Sequence, residues 1–156
     1  GGSSRAESVS NGMAALKGGT AAVLIHDAAR PLTPEPVWDR VKAALANGAD
    51  AVIPGLPLVD TIKEVRDATV VTTVDRSKLF AVQTPQGFNV DQLRKAQAFL
   101  VTLEPSEQAR ITDEALLMEQ AGIPVTTVEG SALALKITTA EDHHFAQLLL
   151  QDLQRT

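Results

Sequence analysis

The stretch Val23-Leu24-Ile25-His26-Asp27-Ala28-Ala29-Arg30-Pro31 decides how the rest of the chain is read. A short apolar run of strand length is followed at once by an acid, two small residues, a base and a proline. In an open α/β sheet, ligands bind just beyond the carboxyl ends of the strands, so Asp27 and Arg30 stand where a site belongs. An Asp there can hold a metal ion, and an Arg can grip a phosphate through paired hydrogen bonds. The same two residues also read as a strand end closed by a local ion pair, and the segment by itself leaves both readings open.

Outward from this strand the pattern alternates between helix and strand. Ser4 to Lys17 reads as a helix with Val9, Met13 and Leu16 on one face, ending before Gly18-Gly19. Thr33 is the expected cap of a helix that has Pro34 at its first position and Val37, Val41, Ala44 and Leu45 as its stripe, stopped by Asn47-Gly48. Ala51 to Ile53 is a short strand broken by Pro54, and Leu79 to Val82 is another, leading into the polar turn Gln83-Thr84-Pro85-Gln86-Gly87-Phe88. A helix from Asn89 or Val90 to about Leu100, a polar linker from Leu103 to Arg110 and a helix opened by Thr112 and ended at Gly122 come next. Val125 to Val128 reads as a strand, Leu133 to Ile137 as an extended piece, and Thr139 as the cap of a last helix running through Leu153. With no repeat and no second domain, residues 1–156 are expected to form one α/β domain, a mostly parallel sheet wrapped by helices.

Residues 56–76 differ in kind. Ile62, Val65, Val70, Val71, Thr72, Thr73 and Val74 favour extended structure, with the turn-like Arg66-Asp67-Ala68 midway. This predicts a hairpin arm that projects from the main sheet. An apolar ribbon with open edges finds a partner, which points to a homodimer, unless the hairpin folds back onto its own domain.

Composition bounds the function. A chain of 156 residues with 44% apolar content hides about 70% of the surface of its unfolded form, enough for a core. The absence of cysteine excludes disulfides, thiolate metal sites and a cysteine nucleophile. Nothing resembles a signal peptide and no apolar run approaches the ~20 residues of a membrane span, so the expected location is cytoplasmic, with no membrane partner. The net charge of −5, with four Phe, one Trp and no Tyr, argues against nucleic acid as a partner.

The candidate chemistry sits at strand ends and in loops: Ser8, Asp27, Arg30, Thr61, Lys63, Arg76, Thr84 and Lys136. Cations and hydroxyls outnumber acids in this set within an acidic chain, which suits an anionic ligand such as a metal-bound polyphosphate. No G-x-S-x-G nucleophile elbow is present. His143 and His144 diverge by about 100° on a helix and do not chelate one ion together. Plainer readings stand beside these. Ser8 is also an ordinary helix residue, Thr61 a β-former, Lys63 and Arg66 solvated arm charges, and Asp113 and Glu114 partners of a helix dipole.

Seven blocks of the chain resemble, in order, motifs of the 2-C-methyl-D-erythritol 4-phosphate cytidylyltransferase family. They are Gly1 to Val9, His26 to Pro31, Asp60 to Lys63, Val74 to Arg76, Gln83 to Phe88, Thr112 to Ala115, and Val128 to Gly130 with Leu135 to Thr138. The resemblance covers nearly the whole chain. It implies a Rossmann-like nucleotidyltransferase fold with helices on both faces and a dimerising hairpin arm. It also implies transfer of a cytidylyl group from CTP to methylerythritol phosphate, with Mg²⁺, in the non-mevalonate route to isoprenoid precursors. By the same resemblance Asp27 is the acid near the metal and the substrate. Arg30 and Lys136 hold the sugar phosphate, with Thr84 beside them. Gly2 and Ser8 contact the cytosine, and Ala28 lies by the ribose. Thr61 and Arg76, on the arm, reach the methylerythritol phosphate of the other subunit.

One departure from the family pattern counts. The family opens with a strand, a glycine-rich loop of the P-A-A-G-x-G-x-R kind and a later lysine, and none of these is in this sequence. Losing one charge-stabilising donor costs about 10² to 10³ in rate, so these 156 residues alone are expected to be an inactive, amino-terminally truncated piece of the enzyme. Two alternatives stay open: another CTP-dependent cytidylyltransferase acting on a polyol phosphate such as ribitol phosphate, and a catalytically dead dimerisation or ligand-binding module.

Overall fold

The computed structural model describes residues 1–2 and 5–155. Ser4, the expected start of the first helix, lies outside the described residues. The elements are α1 (Arg5–Ala14), β1 (Ala22–Ile25), α2 (Glu35–Ala46), β2 (Ala51–Pro57), β3 (Ile62–Arg66), β4 (Thr69–Val74), β5 (Phe80–Val82), β6 (Gln86–Asn89), α3 (Val90–Leu100), α4 (Pro105–Gln108), α5 (Glu114–Gln120), β7 (Val125–Glu129) and α6 (Ala140–Leu153).

β2 is the axis of the main sheet. β7 lies parallel along one edge of it, while β5 and β6 run antiparallel along the other, and β1 closes the far side by pairing antiparallel with β6. The sheet is therefore mixed, where the sequence suggested a mostly parallel one. β1, β2 and β7 share a direction and β5 and β6 oppose them. The reason is the connection: parallel neighbours need a long crossover, and between β2 and β5 the chain makes a hairpin excursion without a crossover helix. Pro54 does not end β2, as the sequence suggested. It has no N–H to place in the ladder, and its carbonyl accepts from Gln83 N at 2.8 Å.

Helices cover both faces. Phe88 packs with Met13, Val90, Leu93, Leu117 and Met118 on the side of α1, α3 and α5. Its neighbour Gly87 faces the other way, onto α2, because successive strand residues alternate. A Cβ at Gly87 would lie 2.5 Å from Val41 Cγ1 and 2.7 Å from Leu45 Cδ1, so the missing side chain is what lets α2 seat on the sheet.

Four local expectations change. Asp113, not Thr112, opens α5, its Oδ1 accepting from Leu116 N. Pro34, not Thr33, is the N-cap of α2, because the Thr33 hydroxyl donates to Arg30 O at 3.0 Å. The polar linker contains the single turn α4. Residues 133–137 are not a strand; a 3-10 turn, Ala132–Ala134, occupies the start of that stretch, with Ser131 accepting from Leu133 N. By contrast, α3 starts where expected, at Val90 with Asn89 as its cap, and Thr139 caps α6, as read.

β3 and β4 form a two-stranded sheet of their own, joined by Asp67 and Ala68, both with positive φ. Val65, Val70 and Val71 on it are exposed.

At the start of α6, Asp142 Oδ2 accepts from Thr138 N, Thr138 Oγ1 and Thr139 N, at 2.9, 2.8 and 2.9 Å. The Thr138 backbone bond, then the Thr138 hydroxyl and the Thr139 amide, hold the carboxyl below its usual 3.8. A depressed carboxyl stabilises above its unfolded value and loses that contribution as pH falls through the folded one. The side-chain carbon of Asp142 is expected to titrate below pH 3.8. Over the same range Thr138 and Thr139 amides lose exchange protection, a change absent in Asp142→Asn. A second prediction concerns the helix seat: Gly87→Ala overpacks it and costs about 1–3 kcal/mol in a denaturant titration, whereas an unchanged midpoint contradicts the packing described.

Candidate functional site

Three loops meet beyond the carboxyl ends of β1 and β7. The first follows β1, where Arg30 N donates to Asp27 O at 2.9 Å and closes a turn. The second is Gln83-Thr84-Pro85, a bulge between β5 and β6 whose Thr84–Pro85 peptide is cis. The third follows β7 and carries Lys136. It docks through Ile137 N to Ala29 O at 2.8 Å and through the Gln83 carboxamide, which donates to Ser131 O at 2.8 Å and accepts from Ser131 N at 2.9 Å.

The Arg30 guanidinium spans all three loops. Nη1 donates to Ala134 O at 2.6 Å, Nη2 to Val82 O at 3.4 Å, and Nε lies 3.7 Å from Asp27 Oδ2. Lys136 Nζ reaches the same Oδ2 at 3.1 Å. Burial lowers the pKa of Arg30 and the charge of Asp27 works against that, and the guanidinium stays charged. Lys136 is half exposed, so its pairing with Asp27 is weak and exchangeable. An incoming phosphate competes with Asp27 for the two cations.

Thr84 completes this corner. Its Oγ1 accepts from Asp27 N at 3.0 Å, which leaves its own proton for His26 Nδ1 at 2.9 Å. The other ring nitrogen, Nε2, faces Arg30 O at 3.2 Å; a carbonyl only accepts, so Nε2 is the donor there. The ring also packs on Trp38, with centroids 4.7 Å apart.

Asp27, Arg30, Thr84 and Lys136 line one cleft of about 240 Å³, together with Gln83, Gln86, Thr112 and Asp113. Asp27 also borders a larger neighbouring hollow of about 610 Å³, lined by Ser8, Ala28 and apolar Val9, Met13 and Val23. Gly2 N donates to Ser8 Oγ at 2.8 Å beside it. Thr61, before β3, and Arg76, in the 3-10 turn after β4, are exposed and line neither cleft. The chain's own fold thus brings Asp27, Arg30, Thr84 and Lys136 together, sets Ser8, Gly2 and Ala28 next to them, and leaves the two hairpin-base residues apart.

Sequence reasoning assigns no role of their own to His26, Gln83 and Gln86. Gln83 and Gln86 are buried polar side chains in strand-forming sequence, a signal that such residues have specific partners. Those partners are remote in sequence: Ser131 for Gln83 and Asp113 for Gln86. Asp113 does serve its helix, since Oδ1 accepts from Leu116 N at 2.8 Å, and its Oδ2 accepts from Gln86 Nε2 at 2.8 Å.

Among the described residues no three His, Asp, Glu or Cys side chains gather as a metal cage. Asp27 offers one carboxylate beside cations that attract phosphate. That donor set fits a hard divalent ion carried largely by phosphate oxygens and water.

Thr84→Val leaves the Asp27 N–H without its acceptor in a half-buried turn. The expected cost is about 1–3 kcal/mol, with faster amide exchange at Asp27; unchanged protection there contradicts the bracing role of Thr84.

Residues 1–152 match the family described as IspD: 2-C-methyl-D-erythritol 4-phosphate cytidylyltransferase. The chain is 46% identical, over its whole length, to the 2-C-methyl-D-erythritol 4-phosphate cytidylyltransferase of Corynebacterium efficiens, and covers 62% of that protein. It is 47% identical over 91% of its length to a bifunctional IspD/IspF enzyme of Nitratidesulfovibrio vulgaris, covering 35% of it. The crystal structure of the cytidylyltransferase from Thermus thermophilus superposes with a TM-score of 0.83 at 36% identity, over 97% of this chain and 71% of that one.

Proposed function

Because the chain belongs to the 2-C-methyl-D-erythritol 4-phosphate cytidylyltransferase family, we propose that the protein transfers a cytidylyl group from CTP to 2-C-methyl-D-erythritol 4-phosphate. A phosphate oxygen of the sugar phosphate forms a bond to the α-phosphorus of CTP, the bond from that phosphorus to the bridging oxygen breaks, and pyrophosphate leaves with the electron pair. The observation that carries this reading is the convergence of Arg30 and Lys136 on Asp27 at the carboxyl ends of β1 and β7.

In-line phosphoryl chemistry depends on positioning and charge neutralisation, and the cleft residues are suited to both. Arg30 and Lys136 exchange part of their hold on Asp27 for the phosphate of methylerythritol phosphate. Thr84 keeps the Asp27 backbone in place while that exchange occurs. Gly2 and Ser8 contact the cytosine, and Ala28 lies by the ribose, in the adjoining hollow. Asp27 and the phosphates would hold Mg²⁺, which would supply neutralisation of the charge on the transferred group.

The β3–β4 hairpin is the dimer contact in this proposal. Its exposed Val65, Val70 and Val71 and its unpaired edges favour association with a second copy. Thr61 and Arg76 then reach the methylerythritol phosphate in the other copy's cleft. No helix of the described residues is long and apolar enough to cross a membrane, and we place the enzyme in the cytoplasm.

The experiment is pyrophosphate release by the full-length protein from CTP and Mg²⁺, with and without methylerythritol phosphate. Release that requires the sugar phosphate, and falls about 10² to 10³ in kcat in Lys136→Ala, is expected. Release without it, or a preference for ribitol phosphate, overturns the assignment.

A further inference from the structure

We propose that the Gln86 carboxamide selects the polyol: its Oε1 accepts a hydrogen bond from a hydroxyl of the bound sugar phosphate, and Asp113 holds the amide in the orientation that makes this possible. The inference rests on the cytidylyltransferase reading above and deepens it.

Gln86 opens β6 and is 2% exposed, on the wall of the cleft that holds Asp27, Arg30 and Lys136. It shares a strand face with Phe88, the side covered by α5, whose cap is Asp113. Its Nε2 donates to Asp113 Oδ2 at 2.8 Å. A carboxylate only accepts, so the amide nitrogen belongs on that side and the amide cannot turn over without setting two acceptors against each other. This leaves Oε1, which is buried and meets no donor among the described residues.

A buried acceptor without a donor is a standing penalty that a ligand hydroxyl relieves. Each acidic group of the cleft already has partners. Asp27 Oδ2 is shared by Arg30 and Lys136, and the oxygens of Asp113 are used by Leu116 N and by Gln86. The cations suit the phosphate end of the ligand, and a neutral, orientation-locked acceptor suits its polyol end. A site built this way discriminates against an analogue that lacks the matching hydroxyl, because the acceptor is then left unpaired.

The test is calorimetric binding of methylerythritol phosphate and its monodeoxy analogues to the full-length protein, to Gln86→Met and to Asp113→Asn. Gln86→Met removes the acceptor at nearly constant volume. Asp113→Asn keeps an oxygen for Leu116 N, removes the negative charge and lets the Gln86 amide turn over, so it decides the matter should Gln86→Met fold poorly. With the unsubstituted protein, one analogue is expected to bind about 10-fold more weakly than the parent ligand. Gln86→Met is expected to lose about the same 10-fold with the parent ligand and nothing further with that analogue. Asp113→Asn is expected to show a smaller loss with the same non-additivity, and inorganic phosphate is expected to bind all three proteins alike. Losses that add independently, or variants that bind every ligand as the unsubstituted protein does, overturn the role of Gln86 alone. Failure of the unsubstituted protein to bind methylerythritol phosphate overturns the functional reading, and the role of Gln86 with it.

Discussion

The guanidinium of Arg30 ties together loops that are far apart in the chain, and the cleft exists because of that tie. Its two terminal nitrogens hold Ala134 O and Val82 O while its Nε faces Asp27. A planar fork with five donors does this without giving up its charge, which a lysine in the same place cannot do. Cutting the side chain back would leave two carbonyls short of a donor and would loosen the loop that delivers Lys136, leaving it to the Ile137 and Gln83 bonds. The ion pair with Asp27 is the more replaceable part of the arrangement, because Asp27 keeps some contact with solvent and Lys136 is half exposed. Structure therefore rests on the guanidinium-to-carbonyl bonds, and ligand exchange on the ion pairs.

The sheet topology supplies the geometry that Arg30 uses. After β2 the chain leaves as a hairpin and returns antiparallel along the same strand, so β6 pairs with β1 and the turn that precedes β6 falls at the end of β1. Between them, residues 83–85 bulge out of the ladder and turn Thr84 toward Asp27 N and His26, while Gln83 reaches across to Ser131. A bulge in an antiparallel pair re-aims side chains in this way. The hairpin excursion and the polar corner are two consequences of one path of the chain. This links the candidate dimer contact to the candidate site.

Much of this is legible in the sequence where the signal is local. Apolar spacing locates α2, Asn89 or Val90 and the cap Thr139 mark the starts of α3 and α6, and an acid and a base just past β1 mark the strand end where ligands bind. Strand direction is less legible, because it depends on whether a connection crosses over or doubles back, and an apolar run looks the same either way. Pro54 reads as a breaker only while its neighbours are unknown; in the sheet its carbonyl is useful and its missing N–H costs little. The site follows the same rule. Asp27 and Arg30 are near each other in sequence and stand out there, whereas Lys136 as a lone cation carries no preference by spacing. Gln83, Gln86 and His26 acquire meaning only from partners that the fold brings in from distant segments.

The central claim is that the Asp27 cleft receives the sugar phosphate and that a second copy completes it. A crystal structure of the full-length protein with methylerythritol phosphate bound tests this most directly. The account predicts the phosphate between Arg30 and Lys136, with Thr61 and Arg76 of a second copy at the ligand. A ligand bound away from Asp27, or a cleft filled with no residue from another copy near it, would contradict it.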